Sequence, residues 1–199
     1  MVRSYTPADF FTLANASCGT ISIFLCLSYI ADERSRYLWG AFVLPVAALV
    51  CDVLDGYVAR RDKRRQSLLG ADLDSLADIV SFGVAPAVLG YTLGLRGFWD
   101  VLVLTFFVCA GISRLARFNV TASSLTNDAT GKVRYFEGTP IPTSVVLVLL
   151  LAVVYYLGRA GANFPGGQWE LLVWTLHPFS LLFFVSGSLM ISTIKVPKP

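Results

Sequence analysis

Charge is scarce in this sequence. Of 199 residues only 15% are Asp, Glu, Lys or Arg, against about 25% for a soluble domain of ordinary composition. Histidine is nearly missing: His177 is the only one. It stands beside Pro178 in the last apolar stretch, far along the chain from any acidic cluster, so chemistry built on an imidazole base has little support. The four cysteines, Cys18, Cys26, Cys51 and Cys109, all lie inside apolar runs, with no CxxC pair and no nearby histidine. They read as small buried hydrophobes, not as a disulfide framework or a zinc site. The start, MVRSYTPADFFTLAN, lacks the basic, apolar and small-residue order of a cleavable signal peptide. A net charge of +3, held mostly in short basic stretches between apolar runs, gives no reason to expect a nucleic-acid partner.

Apolar sequence fills the chain. Hydrophobic residues make up 55% and mean hydropathy is +0.66. Runs such as VVLVLLLAVVYYL (145–157) do not alternate with a period of two, which excludes an outer-membrane barrel. The expected fold is all-α: one polytopic membrane domain over 1–199, with six transmembrane helices at roughly 13–31, 38–60, 70–94, 98–117, 140–158 and 171–192. TPADFFTLAN, ahead of the first span, is expected to form a short interfacial helix, with Thr6 as its cap, Pro7 at its first position and Asp9 in its first turn. With both termini in the cytoplasm, Arg34, Arg36, Arg96 and Arg159 fall on the far side, and the other twelve Lys and Arg on the near side. That bias sets the orientation.

Against this background one stretch stands out: CDVLDGYVARRDKRRQSLLGADLDSLAD, residues 51–78. Asp52 and Asp55 are three apart, so they share a helix face with Gly56 and Ala59. Gly70, Asp74 and Asp78 recur every four residues and form a second stripe, while Asp72 points away and suits the first turn of a helix. A short basic loop joins the two spans, so the stripes can face each other near the cytoplasmic surface. Four carboxylates converging in a membrane need a counter-charge. All-oxygen ligands favour a hard divalent ion, Mg²⁺ or Mn²⁺, with Ca²⁺ a further possible occupant. Four aspartates around two ions leave positions open for substrate oxygens, and two metals bridging a phosphate suit phosphoryl transfer. The competing reading pairs these aspartates with Arg60, Arg61 and the loop bases.

The pattern D-x2-D-G-x2-A-R, nine residues, G-x3-D-x3-D falls on Asp52, Asp55, Gly56, Ala59, Arg60, Gly70, Asp74 and Asp78. It resembles the signature of the CDP-alcohol phosphotransferase family. The resemblance implies a six-helix homodimer with two divalent metals per active site, Ca²⁺ being inhibitory, opening to the cytoplasm. Asp52, Asp55, Asp74 and Asp78 would hold the metals. Asp78 would also act as base on the acceptor hydroxyl. Gly56, Ala59, Arg60 and Gly70 would line the site for CDP-diacylglycerol. The segments LDSLADIVSFGVAPA (73–87), GISRLARFNVT (111–121), YFEGTPIPTS (135–144) and SLMISTIKVPKP (188–199) are similar to the serine-using branch of that family, with the fungal members nearest. Those members carry a longer hydrophilic N-terminus than this chain. This implies transfer of a phosphatidyl group from CDP-diacylglycerol, within the lipid bilayer, to the hydroxyl of L-serine, with CMP as the other product, in the endoplasmic reticulum membrane if the chain is eukaryotic.

Serine brings a carboxylate, and a guanidinium fork would suit it. Arg114 and Arg117 stand three apart with Phe118 following. The family resemblance places acceptor recognition there, and snorkelling anchors are the plain alternative. Glu137 is a candidate partner for the ammonium. Lys63, Arg64 and Arg65 are explained by orientation, with attraction of anionic lipid as a second role. Glycerol phosphate would also want arginine, and inositol would not need it, so the pair does not name the acceptor. Intramembrane carboxylates also mark ion paths, which keeps a divalent-cation transporter as the distant alternative.

Overall fold

The computed structural model describes residues 7–61, 68–125, 135–171, 173–193 and 195–197. Helix α1 runs Pro7–Asp32 with Asp9 in its first turn. It stops at Glu33, whose φ of 54° is the left-handed conformation that ends many helices. Helix α2, Ser35–Arg61, returns antiparallel beside α1 and contains Pro45. Next comes a three-part rod: α3, Leu68–Asp78, a π-helical stretch, Ile79–Val84, and α4, Ala85–Leu93. The wide turn falls just before Pro86. Proline lacks an N–H and its ring crowds the carbonyl four residues back, and a local widening relieves that conflict. Helix α5 is Phe98–Leu125, α6 is Val145–Tyr156 and α7 is Leu181–Ile191. Two small antiparallel pairs complete the described chain. Strand β1, Tyr135–Glu137, pairs with β4, Lys195–Pro197, and β2, Trp169–Leu171, pairs with β3, Trp174–Leu176.

Among the described residues, four stretches are long and apolar enough to cross a membrane: Asp9–Asp32, Ser35–Val58, Asp72–Leu93 and Phe98–Val120. The chain is mostly helical, as the sequence suggested, but two expectations change. First, no separate interfacial helix precedes the first span, because residues 7–32 form one uninterrupted helix. The side chains of Thr12 and Asn15 explain this, since both reach carboxylates on neighbouring elements and so draw that turn into the bundle. Second, the apolar helix expected over 171–192 is only Pro178–Ile191, and the other late one is Ile141–Tyr156. These are about 21 Å and 24 Å long at 1.5 Å per residue, short of a ~30 Å hydrocarbon core. Residues 169–171 and 174–176 pair as antiparallel strands instead of continuing a helix. Their Trp169 and Trp174 are exposed, as suits amphipathic rings at a membrane interface.

The third span is the centre of the bundle. It is 67% buried, against 28% for each of the other three. Its own Phe82 and Leu89, and Phe107, Ile141, Val148 and Phe183 from other elements, share one core with almost no exposure, while Phe24, Val43, Val53 and Val146 on other helices face outward. Carboxylates carried on the central rod are therefore held in the core. The lone histidine lies elsewhere. His177 Nδ1 is 2.6 Å from Asp100 Oδ2 and the His177 main-chain N–H donates to Asp100 Oδ1 at 2.8 Å. Both residues are buried, and Asp100 also accepts from the Gly97 N–H. This pair fastens the segment before α7 to the first turn of α5, a structural task.

Gly19 sets how closely α1 approaches the rod. A Cβ there would fall 2.5 Å from Ser81 Oγ and 2.7 Å from Ser81 Cα. Gly19→Ala should therefore destabilise the protein by about 1–3 kcal/mol, the range for overpacking a tight contact. A lowered unfolding temperature in detergent would show this, and an unchanged one would mean that α1 sits less tightly than described.

Candidate metal centre

Each functional side chain reaches the site because of its helical spacing. Asp52 and Asp55 lie near the C-terminal end of α2, and Asp74 and Asp78 lie one turn apart on α3. Oxygen atoms from Asp52, Asp74 and Asp78 all lie within 4.8 Å of one another. Asp78 is 6% exposed and Asp55 is 8% exposed, so carboxylates have been carried into an apolar interior. Asp52 and Asp74 make no hydrogen bond and no ion pair among the described residues. Oxygens so close, without nitrogen or sulfur ligands and with one protein donor among the described residues, Asn15 Nδ2 on Asp78, match what a hard divalent cation requires.

The structure gathers three of the four expected ligands. Asp55 falls outside that 4.8 Å group but interacts electrostatically with Asp52 and Asp74, and its Oδ2 accepts a hydrogen bond from Thr12 Oγ1 at 2.6 Å. Asp72 is exposed and meets Asn119 Nδ2 at 3.4 Å, outside the site. Gly56 is exposed, with open space where a Cβ would point, and Gly70 is half-buried at the start of the rod. The side chains of Ala59, Arg60 and Glu137, and residues Lys63, Arg64 and Arg65 entirely, lie outside the described residues.

Arg114 and Arg117 make different contacts. Arg114 is half-buried and interacts electrostatically with Asp78 across the site. Its guanidinium carbon lies 6.0 Å from the centre of the Phe118 ring, at the outer limit of a cation–π contact. Arg117 is exposed and its Nη1 donates to the Ile191 carbonyl at 3.4 Å, tying α5 to the end of α7.

Helix α1 contributes two residues that the reading of the sequence missed. Thr12 holds Asp55, and Asn15 Nδ2 donates to Asp78 Oδ1 at 3.0 Å. The available signal was a pair of polar residues three apart, on one face of an otherwise apolar helix. A cleft of about 490 Å³, lined by Tyr29, Glu33, Thr92, Arg96 and Gln168 among others, opens at the other ends of α1 and α4 and shares none of these residues.

Comparison with known proteins agrees with this geometry. A family model described as CDP-alcohol phosphatidyltransferase matches residues 5–185. A Saccharomyces cerevisiae protein named CDP-diacylglycerol–serine O-phosphatidyltransferase is 44% identical over 202 residues, covering 100% of this chain and 73% of its own length. A Helicobacter pylori protein of the same name is 34% identical, covering 97% of this chain and 72% of its own. An archaetidylserine synthase of Methanothermobacter thermautotrophicus is 35% identical, covering 78% of this chain and 61% of its own. The carboxylate trio, the small residues beside it and these matches lead to one conclusion: the chain belongs to the CDP-alcohol phosphatidyltransferase family.

Proposed function

We propose that the chain transfers the phosphatidyl group of CDP-diacylglycerol to the hydroxyl of L-serine, giving phosphatidylserine and CMP. The observation that carries this reading is the convergence of Asp52, Asp74 and Asp78 within 4.8 Å in a chain 44% identical, along its whole length, to a protein named for that reaction. The serine hydroxyl oxygen attacks the phosphorus esterified to diacylglycerol. The bond from that phosphorus to the CMP phosphate oxygen breaks, and Asp78 takes the hydroxyl proton. Asp52, Asp74 and Asp78 would hold Mg²⁺ or Mn²⁺, with Asp55 as the fourth ligand around a pair of ions. A cation there would bind the diphosphate oxygens and stabilise the leaving CMP. Gly56, Ala59, Arg60 and Gly70 would line the nucleotide side, where little side chain stands between backbone and ligand. Arg114, beside Asp78, would meet the serine carboxylate, with Phe118 packed under it. Arg117 would support this region from the α7 end.

The same reading takes six membrane crossings, with the two shorter apolar helices completing the set, and one catalytic domain over the whole chain. It puts the site on the cytoplasmic side, in the endoplasmic reticulum if the chain is eukaryotic, and includes a homodimer. The orientation rests on the excess of lysine and arginine on that side.

Purified protein given CDP-diacylglycerol, Mn²⁺ or Mg²⁺, and serine, inositol or glycerol phosphate separately should release CMP with serine alone. Chelation should abolish the release. CMP release with another acceptor instead would discard the serine assignment, and cation uptake by vesicles without CMP release would favour a transporter. Asp78→Asn should cut turnover about a thousandfold, the usual order for loss of a general base, while retaining CDP-diacylglycerol binding. Wild-type-like turnover would remove the base assignment. Gly56→Leu should leave thermal stability intact, since open space surrounds that position, but weaken CDP-diacylglycerol binding in a direct binding assay.

A further inference from the structure

Two buried polar atoms around Asp78 lack a partner: Asn15 Oδ1 and Arg114 Nε. One is a hydrogen-bond acceptor and the other is a donor. Asn15 is fully buried, and its remaining side-chain nitrogen is committed to Asp78. The orientation of this amide follows from chemistry. Turned over, it would set its carbonyl oxygen against the Asp78 carboxylate, two acceptors without a proton between them. Asn15 is also fixed in place. Its main-chain carbonyl accepts a hydrogen bond from Ser81 Oγ at 2.8 Å, and Ser81 in turn packs on Gly19. The Asn15 side chain is therefore held against Asp78 of α3 while its main chain is held by Ser81 of the π-helical stretch, and its carbonyl oxygen stays buried.

We infer that Asn15 is a substrate contact and a specificity residue: its Oδ1 accepts a hydrogen bond from the ammonium of an α-amino acid whose hydroxyl lies on Asp78 and whose carboxylate lies on Arg114. This rests on the reading of serine as acceptor and deepens it. An α-amino acid with a β-hydroxyl offers one acceptor group, one donor group and a reacting hydroxyl. The site offers a buried donor on Arg114, a buried acceptor on Asn15 and a carboxylate linked to both. Three contacts around one stereocentre also select one enantiomer. Inositol and glycerol phosphate carry no ammonium, so they would leave the Asn15 carbonyl desolvated and unpaired. The amide N–H of Asn15 meanwhile holds the Asp78 carboxylate in one orientation. This gives the residue a positioning role separable from the substrate contact.

The test uses the full chain in detergent with CDP-diacylglycerol and Mn²⁺, and compares L-serine kinetics with inhibition by 3-hydroxypropanoate, which is serine without its ammonium. Asn15→Ala should raise the KM for L-serine by about tenfold or more, the order expected when a hydrogen bond to a charged group is lost. It should leave the inhibition constant of 3-hydroxypropanoate and the KM for CDP-diacylglycerol nearly unchanged. Asn15→Asp keeps an acceptor oxygen but loses the N–H that holds Asp78, so kcat should fall while the KM for L-serine stays near wild type. Equal weakening of L-serine and 3-hydroxypropanoate by Asn15→Ala, or no change in the KM for L-serine, overturns the contact. If neither variant binds CDP-diacylglycerol, Asn15 serves the fold alone and the inference is overturned as well. Wild-type protein that releases no CMP with serine would instead sink the functional reading, a result visible before any variant is made.

Discussion

Carboxylates that meet inside an apolar bundle repel one another strongly. Two unit charges at 4.8 Å repel by about 3.5 kcal/mol at an effective dielectric constant of ~20, and Asp52, Asp74 and Asp78 form three such pairs. Nothing in the described protein offsets this fully. Arg114 acts on Asp78, and Asp52 and Asp74 have no hydrogen-bond donor. The fold therefore holds together a carboxylate cluster that could bind a divalent cation. The central rod carries Asp74 and Asp78 in the core of the bundle, and Gly56 leaves an open face near the end of α2.

Helix α1 keeps this arrangement from relaxing. It crosses the rod with glycine against serine at Gly19 and Ser81, close enough for short polar side chains to reach across. Thr12 then fixes Asp55 and Asn15 fixes Asp78. A buried hydrogen bond to a charged group contributes about 1.5–3 kcal/mol, comparable to one of the repulsive pairs, so α1 goes some way toward steadying the cluster before any ligand arrives. The π-helical turn begins at the residue after Asp78. It leaves Asp78 at the end of a regular helix, with Ser81 Oγ bonded to the Asn15 carbonyl of α1.

Local periodicity made part of this legible and hid the rest. Spacings of three and four put Asp52 with Asp55 and Asp74 with Asp78, and long apolar runs marked the helices. Thr12 and Asn15 were hidden because their partners lie 43 and 63 residues away. Only packing decides which polar residue of an apolar helix meets which carboxylate. The bond from Thr12 to Asp55 belongs to the same class of long-range contact. Residues 169–176 misled for a different reason. WELLVWTL is apolar enough for a span, yet Trp, Val and Thr also favour strands, and the Pro165, Gly166 and Gly167 turn just before it signals a break. Arg114 and Arg117, three apart on α5, looked like one fork. The contact of Arg117 with the Ile191 carbonyl, 74 residues away, could not be read from that spacing.

The central claim is that Asp52, Asp74 and Asp78 form a divalent-cation site. Mn²⁺ binding followed by electron paramagnetic resonance tests it most directly, because free Mn²⁺ gives a sharp six-line signal that fades when the ion is held by a large, slowly tumbling particle. Wild-type protein in micelles should quench the signal saturably, more tightly with CDP-diacylglycerol present, and Asp74→Asn should weaken the binding at least tenfold. Quenching by Asp74→Asn equal to wild type, or no quenching at millimolar Mn²⁺ with CDP-diacylglycerol present, would contradict the account.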